Sequence, residues 1–251
     1  MTVCVFLGPT LSVEAARRIL DATYLPPARR GDIAEAIRTY NPHTVALIDG
    51  YFEQVPSVWH KELLWALHRG VRTYGSASMG ALRAAELAQF GMVGVGKIFD
   101  AYVSGIFEPF EDRFEDDDEV AVVHGPEEIG YPATEAMVDI RTTLAEAHRA
   151  GLIGKNDMFA IAASAKSLFY KRRTWGEVLQ AAEAMGTSGR VLAELKQWLA
   201  DNLVSQKRLD AEQLLRHLGN GPSEAGLPMF RFERTILWQS SMAETIDWEL
   251  E

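Results

Sequence analysis

The first hundred residues alternate between short apolar runs and amphipathic segments, and this alternation restricts the fold more than any other feature. "TVCVFLG" stops at Gly8-Pro9, "HTVALIDG" stops at Asp49-Gly50, and "VRTYG" leads into a row of small residues. Between them, "SVEAARRIL" begins at a capping Ser12, and "ARRGDIAEAIRTY" forms a second helical segment. "SVWHKELLWALHRG" puts Trp59, Leu63, Ala66 and Leu67 on one helical face, with Gly70 as its stop. A further helix is predicted from Ser78 to Ala88. Alternation of this kind implies a parallel sheet flanked by helices. Residues 3–7, 44–49 and 71–75 are therefore predicted to be neighbouring parallel strands, with "EVAVV" at 119–123 joining them. From Pro132 the pattern becomes helical, over about 133–150, 155–170, 175–185, 190–203 and 208–218. The expected class is α/β: a small parallel sheet flanked by helices, followed by a mainly helical C-terminal part. The expected division is a core over 1–130, with an acidic loop at 108–119, and a helical part over 131–251. The apolar tail "MFRFERTILWQSSM" is expected to dock on the rest.

Charge and cysteine content then narrow the function classes. The net charge is −10, from 25 basic and 35 acidic residues. A general nucleic-acid binder would need a basic face. The single cysteine, Cys4, excludes an internal disulfide and a cysteine-rich zinc site. It lies in "VCVFLG", which reads as a buried strand rather than an exposed, electropositive setting for a reactive thiol. No apolar run is long enough to span a bilayer, and "MTVCVFLGPT" lacks a leader pattern. A cytoplasmic chain without membrane contact, cofactor or metal is expected.

The corner "VRTYGSASMGALRAAEL" is where chemistry fits best. In open parallel sheets, ligands bind beyond the carboxyl ends of the strands. Three such ends carry suggestive residues: Gly8-Pro9-Thr10, Asp49-Gly50-Tyr51 and Gly75 to Gly80. A serine hydroxyl becomes a nucleophile when a base takes its proton, and lysine serves as that base in Ser–Lys sites. Ser78, or Ser76 two residues earlier, is the candidate nucleophile, and Lys61 on the preceding helix the candidate base. N–H groups near Met79 and Gly80 could hold an oxyanion, with Asp49, Gly50, Tyr51, Ser76 and Arg83 around the substrate. The plain alternative is that Ser78 is a helix cap and Lys61 a solvated side chain.

Other patterns carry less. "GMVGVGK" at 91–97 contains the spacing of a phosphate loop, but Ile98 replaces the Ser/Thr, and a turn between helices is expected instead. The run Glu115 to Glu119 suits a hard cation, a solvated loop or a basic partner. His124 could line a cleft, and Arg83 with Glu86 has the spacing of a helix-surface pair.

Taken together, "ALIDGYFEQVPSVWHKELLWAL", "YGSASMGALRAAEL" and "EDDDEVAVVHGP" resemble the TfuA family, from about Val3 to about Thr143, and "SQKRLDA" at 205–211 also looks family-like. The resemblance implies a fold particular to the family and a role beside a YcaO enzyme in installing backbone thioamides on a precursor peptide or protein. The YcaO partner activates the peptide amide with ATP. The TfuA-like protein hydrolyses a thiocarboxylated ThiS-like sulfur carrier and delivers sulfide. The family's Ser–Lys pair falls on Ser78 and Lys61. A competing reading is a non-catalytic adaptor that binds YcaO and recruits its peptide or the carrier. A persulfide-type sulfurtransferase is a third, and the apolar setting of Cys4 argues against it.

Overall fold

The computed structural model describes residues 2–53, 55–123, 125, 133–221 and 230–242. Five strands are defined: β1 (Val3–Phe6), β2 (Thr23–Leu25), β3 (Thr44–Leu47), β4 (Arg72–Ser76) and β5 (Val93–Val95). The helices before and after β3 are α1 (Val13–Arg17), α2 (Asp32–Tyr40), α3 (His60–His68), α4 (Met79–Leu87) and α5 (Lys97–Ser104). Further along the chain lie α6 (Met137–Arg149), α7 (Lys155–Ser167), α8 (Trp175–Ala184), α9 (Gly189–Leu199), α10 (Gln206–Gly219) and α11 (Ile236–Ser241). The chain forms two compact units, one of residues 1–103 and 208–251, the other of residues 104–207.

In the first unit the strands are all parallel, in the order β2-β1-β3-β4-β5. The three expected strands lie side by side in the middle. β1 and β3 are mainly apolar and buried on both faces, which makes them visible in the sequence, and β4 is buried from Thr73 to Ser76. One face, with Phe6, Val45 and Leu47, packs against apolar residues of α2, α3 and α4. The other, with Val5, Ala46, Ile48 and Tyr74, packs against Ala16 of α1 and against Ala211, Leu214, Leu215 and Leu218 of α10. Cys4 is fully buried on β1, and burial pushes its thiol up to about 11. Ser12 caps α1, accepting from the Ala15 N–H. The tail docks as expected: Trp238 is fully buried against Trp65, and Phe232 packs edge-on to Trp238.

The edge strands are corrections. β2 and β5 have three residues each and no strong apolar run. β5 lies inside "GMVGVGK", where the sequence pattern implies a turn between helices. A phosphate-loop role for this stretch is excluded by the start of α5. There the Ile98 N–H donates to the Asp210 carboxyl at 2.8 Å, so a side chain of the protein already occupies the place an anion would take. Asp210 belongs to "SQKRLDA", and this contact gives that stretch a structural duty.

The second unit corrects two more expectations. Residues 119–123 do not join the sheet; Asp117–Glu119 form a 3-10 turn, with Val120 and Ala121 buried after it. The acidic run is solvated only over Glu115, Asp116 and Asp117; its last two residues turn inward. Glu119 is fully buried and takes the Arg141 guanidinium through both oxygens at 3.0 Å, and Lys166 at 2.8 Å. Asp118 binds the fully buried Arg173 at 2.9 and 3.0 Å and Lys166 at 2.9 Å. The pairing cations come from α6, α7 and the stretch before α8, too far along the chain for the run to reveal them. His124 lies outside the described residues.

Candidate active site at the strand-to-helix corner

β4 passes into α4 through two residues, Ala77 and Ser78. Ala77 has φ 65°, a left-handed conformation that costs a non-glycine residue about 1–2 kcal/mol. The strain reverses the chain sharply, so that α4 lies directly on β4 and β3. A Cβ on Gly75 would sit 2.1 Å from the Gly80 carbonyl oxygen, and one on Gly80 would sit 1.7 Å from that of Leu47. The Gly80 N–H donates to the Ile48 carbonyl at 3.2 Å. The small residues therefore let a helix start against a sheet without spacing.

This corner separates the two serines. Ser76 is fully buried, its hydroxyl 2.6 Å from the Val95 carbonyl and 3.0 Å from that of Asp210. It fastens β5 and α10 to β4. Ser78 occupies the N-cap position of α4, yet its hydroxyl makes no capping bond and no hydrogen bond to any described residue. It is 2% exposed. The Met79 N–H, first in the helix, also has no partner among the described residues, whereas Gly80 has spent its N–H on Ile48. A hydroxyl and an adjacent helix-terminal donor are thus both left available.

The end of β3 forms the facing wall. The Asp49 carboxylate accepts from the Gly8 and Thr10 N–H groups at 2.8 and 3.1 Å and from the Thr10 hydroxyl at 2.6 Å. It thereby fastens the loop after β1 at the point where the strand order reverses. Gly50 touches Met79; a Cβ there would lie 2.9 Å from its Cγ. Tyr51 lines a cavity of about 630 Å³, together with Phe6, Leu25, Pro27 and Tyr40. Arg83 reaches the Val58 carbonyl at 3.2 Å and Glu86 at 2.7 Å, and His60 shares that carboxylate at 2.7 Å. Burial pushes the Glu86 carboxyl up, but the bonds from His60 and Arg83 prevail and hold it below its ordinary value.

Lys61 is the second residue of α3 and is half-buried. Its ammonium donates to the Thr235 hydroxyl at 3.1 Å and lies 5.5 Å from the Phe232 ring centre. No hydrogen bond joins it to Ser78. Ser57 does not cap α3, because its hydroxyl donates to the Tyr51 carbonyl at 2.7 Å. Glu62 does that work from inside the helix. Fully buried, it accepts from the Trp59 N–H at 3.3 Å and the Gly31 N–H at 2.9 Å. Burial pushes its carboxyl up to about 7. Sequence reasoning misses Glu62, although its place three residues after Trp59 is the capping-box position. It misses Thr235 and Phe232 because nothing in their own segment points to Lys61.

A family model described as TfuA-like protein matches residues 49–174, half of the chain. The chain belongs to the TfuA-like family. Among curated proteins, none matches it significantly. The TfuA-like match opens at Asp49, spans Lys61 and the corner at Ser78, and runs through the acidic run to Arg173 and Thr174. It leaves out β1, β2, Asp210 and the segment carrying Phe232 and Thr235. No described helix is long and apolar enough to cross a membrane.

Proposed function

We propose that this TfuA-like protein is a hydrolase acting on the thiocarboxylated C-terminus of a ThiS-like sulfur carrier, with Ser78 as nucleophile and Lys61 as base. The observation that supports this most is the unbonded Ser78 hydroxyl, nearly buried at a helix start beside the free Met79 N–H. A structural serine in such a place would bond, as Ser76 does.

The reaction begins with proton transfer. Lys61, swinging on its flexible stem, takes the Ser78 proton as the Ser78 oxygen attacks the thiocarboxylate carbon. The Met79 N–H holds the developing oxyanion. The carbon–sulfur bond breaks, and hydrosulfide departs with the proton from Lys61. Water then hydrolyses the acyl ester on Ser78, leaving a carrier carboxylate. The carrier's slender Gly-Gly tail suits a serine that is only 2% exposed. The sulfide passes to a YcaO enzyme for thioamide formation on a precursor peptide.

The test is sulfide release from a purified thiocarboxylated carrier. Wild type should release sulfide, while Ser78→Ala and Lys61→Arg should not, because a guanidinium does not accept a proton. Full release by Ser78→Ala would remove the nucleophile assignment and leave a recruiting role.

A further inference from the structure

Lys61 is held by a segment that the family match does not reach. Thr235 Oγ1 accepts from the Lys61 ammonium at 3.1 Å and from the Trp238 N–H at 3.3 Å. The Trp238 bond makes Thr235 the N-cap of α11, and Trp238 is fully buried against Trp65 on α3. Phe232, 5.5 Å from the ammonium, stacks on His68 at 5.6 Å and meets Trp238 at 5.8 Å. The Thr235 oxygen is therefore fixed to α3 at two further points, the Trp65–Trp238 contact and the His68–Phe232 contact. It is a firm reference point rather than a surface hydroxyl that happens to be near.

We propose that Thr235 is a positioning residue for Lys61, so that residues 230–242 complete the site. This rests on the Ser–Lys reading above. The chemistry is that of a neutral amine, which keeps two N–H donors and one lone pair. An unfixed amine at the end of four rotatable bonds spends little time with that lone pair on a given oxygen. With one N–H anchored on Thr235, the resting amine is held at one place beside α3, and its stem swings to Ser78 from that one starting point rather than from many. Phe232 walls off one side of the nitrogen. Thr235 itself touches neither substrate nor reacting atoms. Both of its lone pairs are engaged, so it acts through orientation and not as a second base.

The experiment uses the full-length protein with Thr235→Val, which keeps the shape and removes the acceptor, and Thr235→Ser, which keeps the acceptor. Two readouts are taken: kcat and KM for sulfide release from the thiocarboxylated carrier, and the rate at which acetic anhydride acetylates Lys61, followed by peptide mass spectrometry. The expected result is a fall in kcat of about tenfold or more in Thr235→Val with KM unchanged, the scale of a misplaced catalytic group. Lys61 should be acetylated faster in that variant, and Thr235→Ser should recover most of both properties. Phe232→Leu leaves the α11 cap intact and should speed acetylation as well, which separates loosening of Lys61 from loss of the cap. Unchanged acetylation in Thr235→Val overturns the proposal, and so does faster acetylation with unchanged kcat. If Lys61→Ala releases sulfide at the wild-type rate, the Ser–Lys reading has failed, and Thr235's catalytic part falls with it. A persisting acetylation difference would then show that the failure lies in the role of Lys61, not in the contact.

Discussion

Gly80 faces Leu47 so closely that a Cβ would stand 1.7 Å from the Leu47 carbonyl oxygen. Backbone, not a flexible side chain, is in the way, so α4 must move if anything larger than hydrogen is placed there. Gly80→Ala is expected to lower stability by about 1–3 kcal/mol or more. Thermal melting followed by circular dichroism checks this. Any sulfide release should fall in parallel, because Ser78 rides on the displaced helix end.

The two serines of the corner should respond oppositely. Ser76→Ala strips the hydroxyl from the part-buried Val95 carbonyl and the buried Asp210 carbonyl and should cost about 1–3 kcal/mol. Ser78→Ala removes no hydrogen bond and should leave the urea midpoint nearly unchanged while sulfide release is lost. Paired denaturation and activity measurements separate them. A strongly destabilised Ser78→Ala would show that its hydroxyl is structural after all.

That pair marks the limit of what is legible in the sequence. The strand-to-helix corner is legible because glycine and small residues mark close approach, and the central strands because both their faces are buried. Which serine stays unbonded is not legible, since it depends on Asp210, on a helix that begins far down the chain. The same holds for the acidic run. Glu119 reads as a surface charge until Arg141 and Lys166 are brought to it. Contacts at long range in sequence carry no local signature.

Glu62 predicts a pH dependence. Its folded carboxyl is raised to about 7 by burial, above the ordinary 4.5. The folded state therefore binds more protons than the unfolded state between about pH 4.5 and 7, and the contribution of Glu62 is lost as pH rises through that window. The loss is at most about 3 kcal/mol. Urea midpoints at pH 5 and pH 8 should show this decline in wild type. In Glu62→Gln the decline should be smaller, since the amide does not titrate there.

The buried ions of the second unit should be intolerant of single changes. Glu119→Ala takes the one fully buried carboxylate from Arg141 and Lys166, which keep Asp112 and Asp118, and should destabilise by no more than about 3–5 kcal/mol, the scale of an unpaired buried charge. Removing the charge on both sides, as in Glu119→Leu with Arg141→Met, should cost less than the two single changes summed. A double-mutant cycle in guanidinium chloride checks this.

The route of the chain through its two units has a consequence for synthesis. The face of the sheet bearing Val5, Ala46 and Tyr74 is covered in part by α10, yet residues 104–207 must be translated before α10 exists. At ribosomal speeds that is roughly 5–20 s during which the nascent sheet keeps an apolar face open. The intervening unit, whose residues are contiguous, is free to fold first. Such a chain is expected to depend on chaperones early in its life, and a slowed codon stretch within 104–207 should lower its yield without altering the finished molecule.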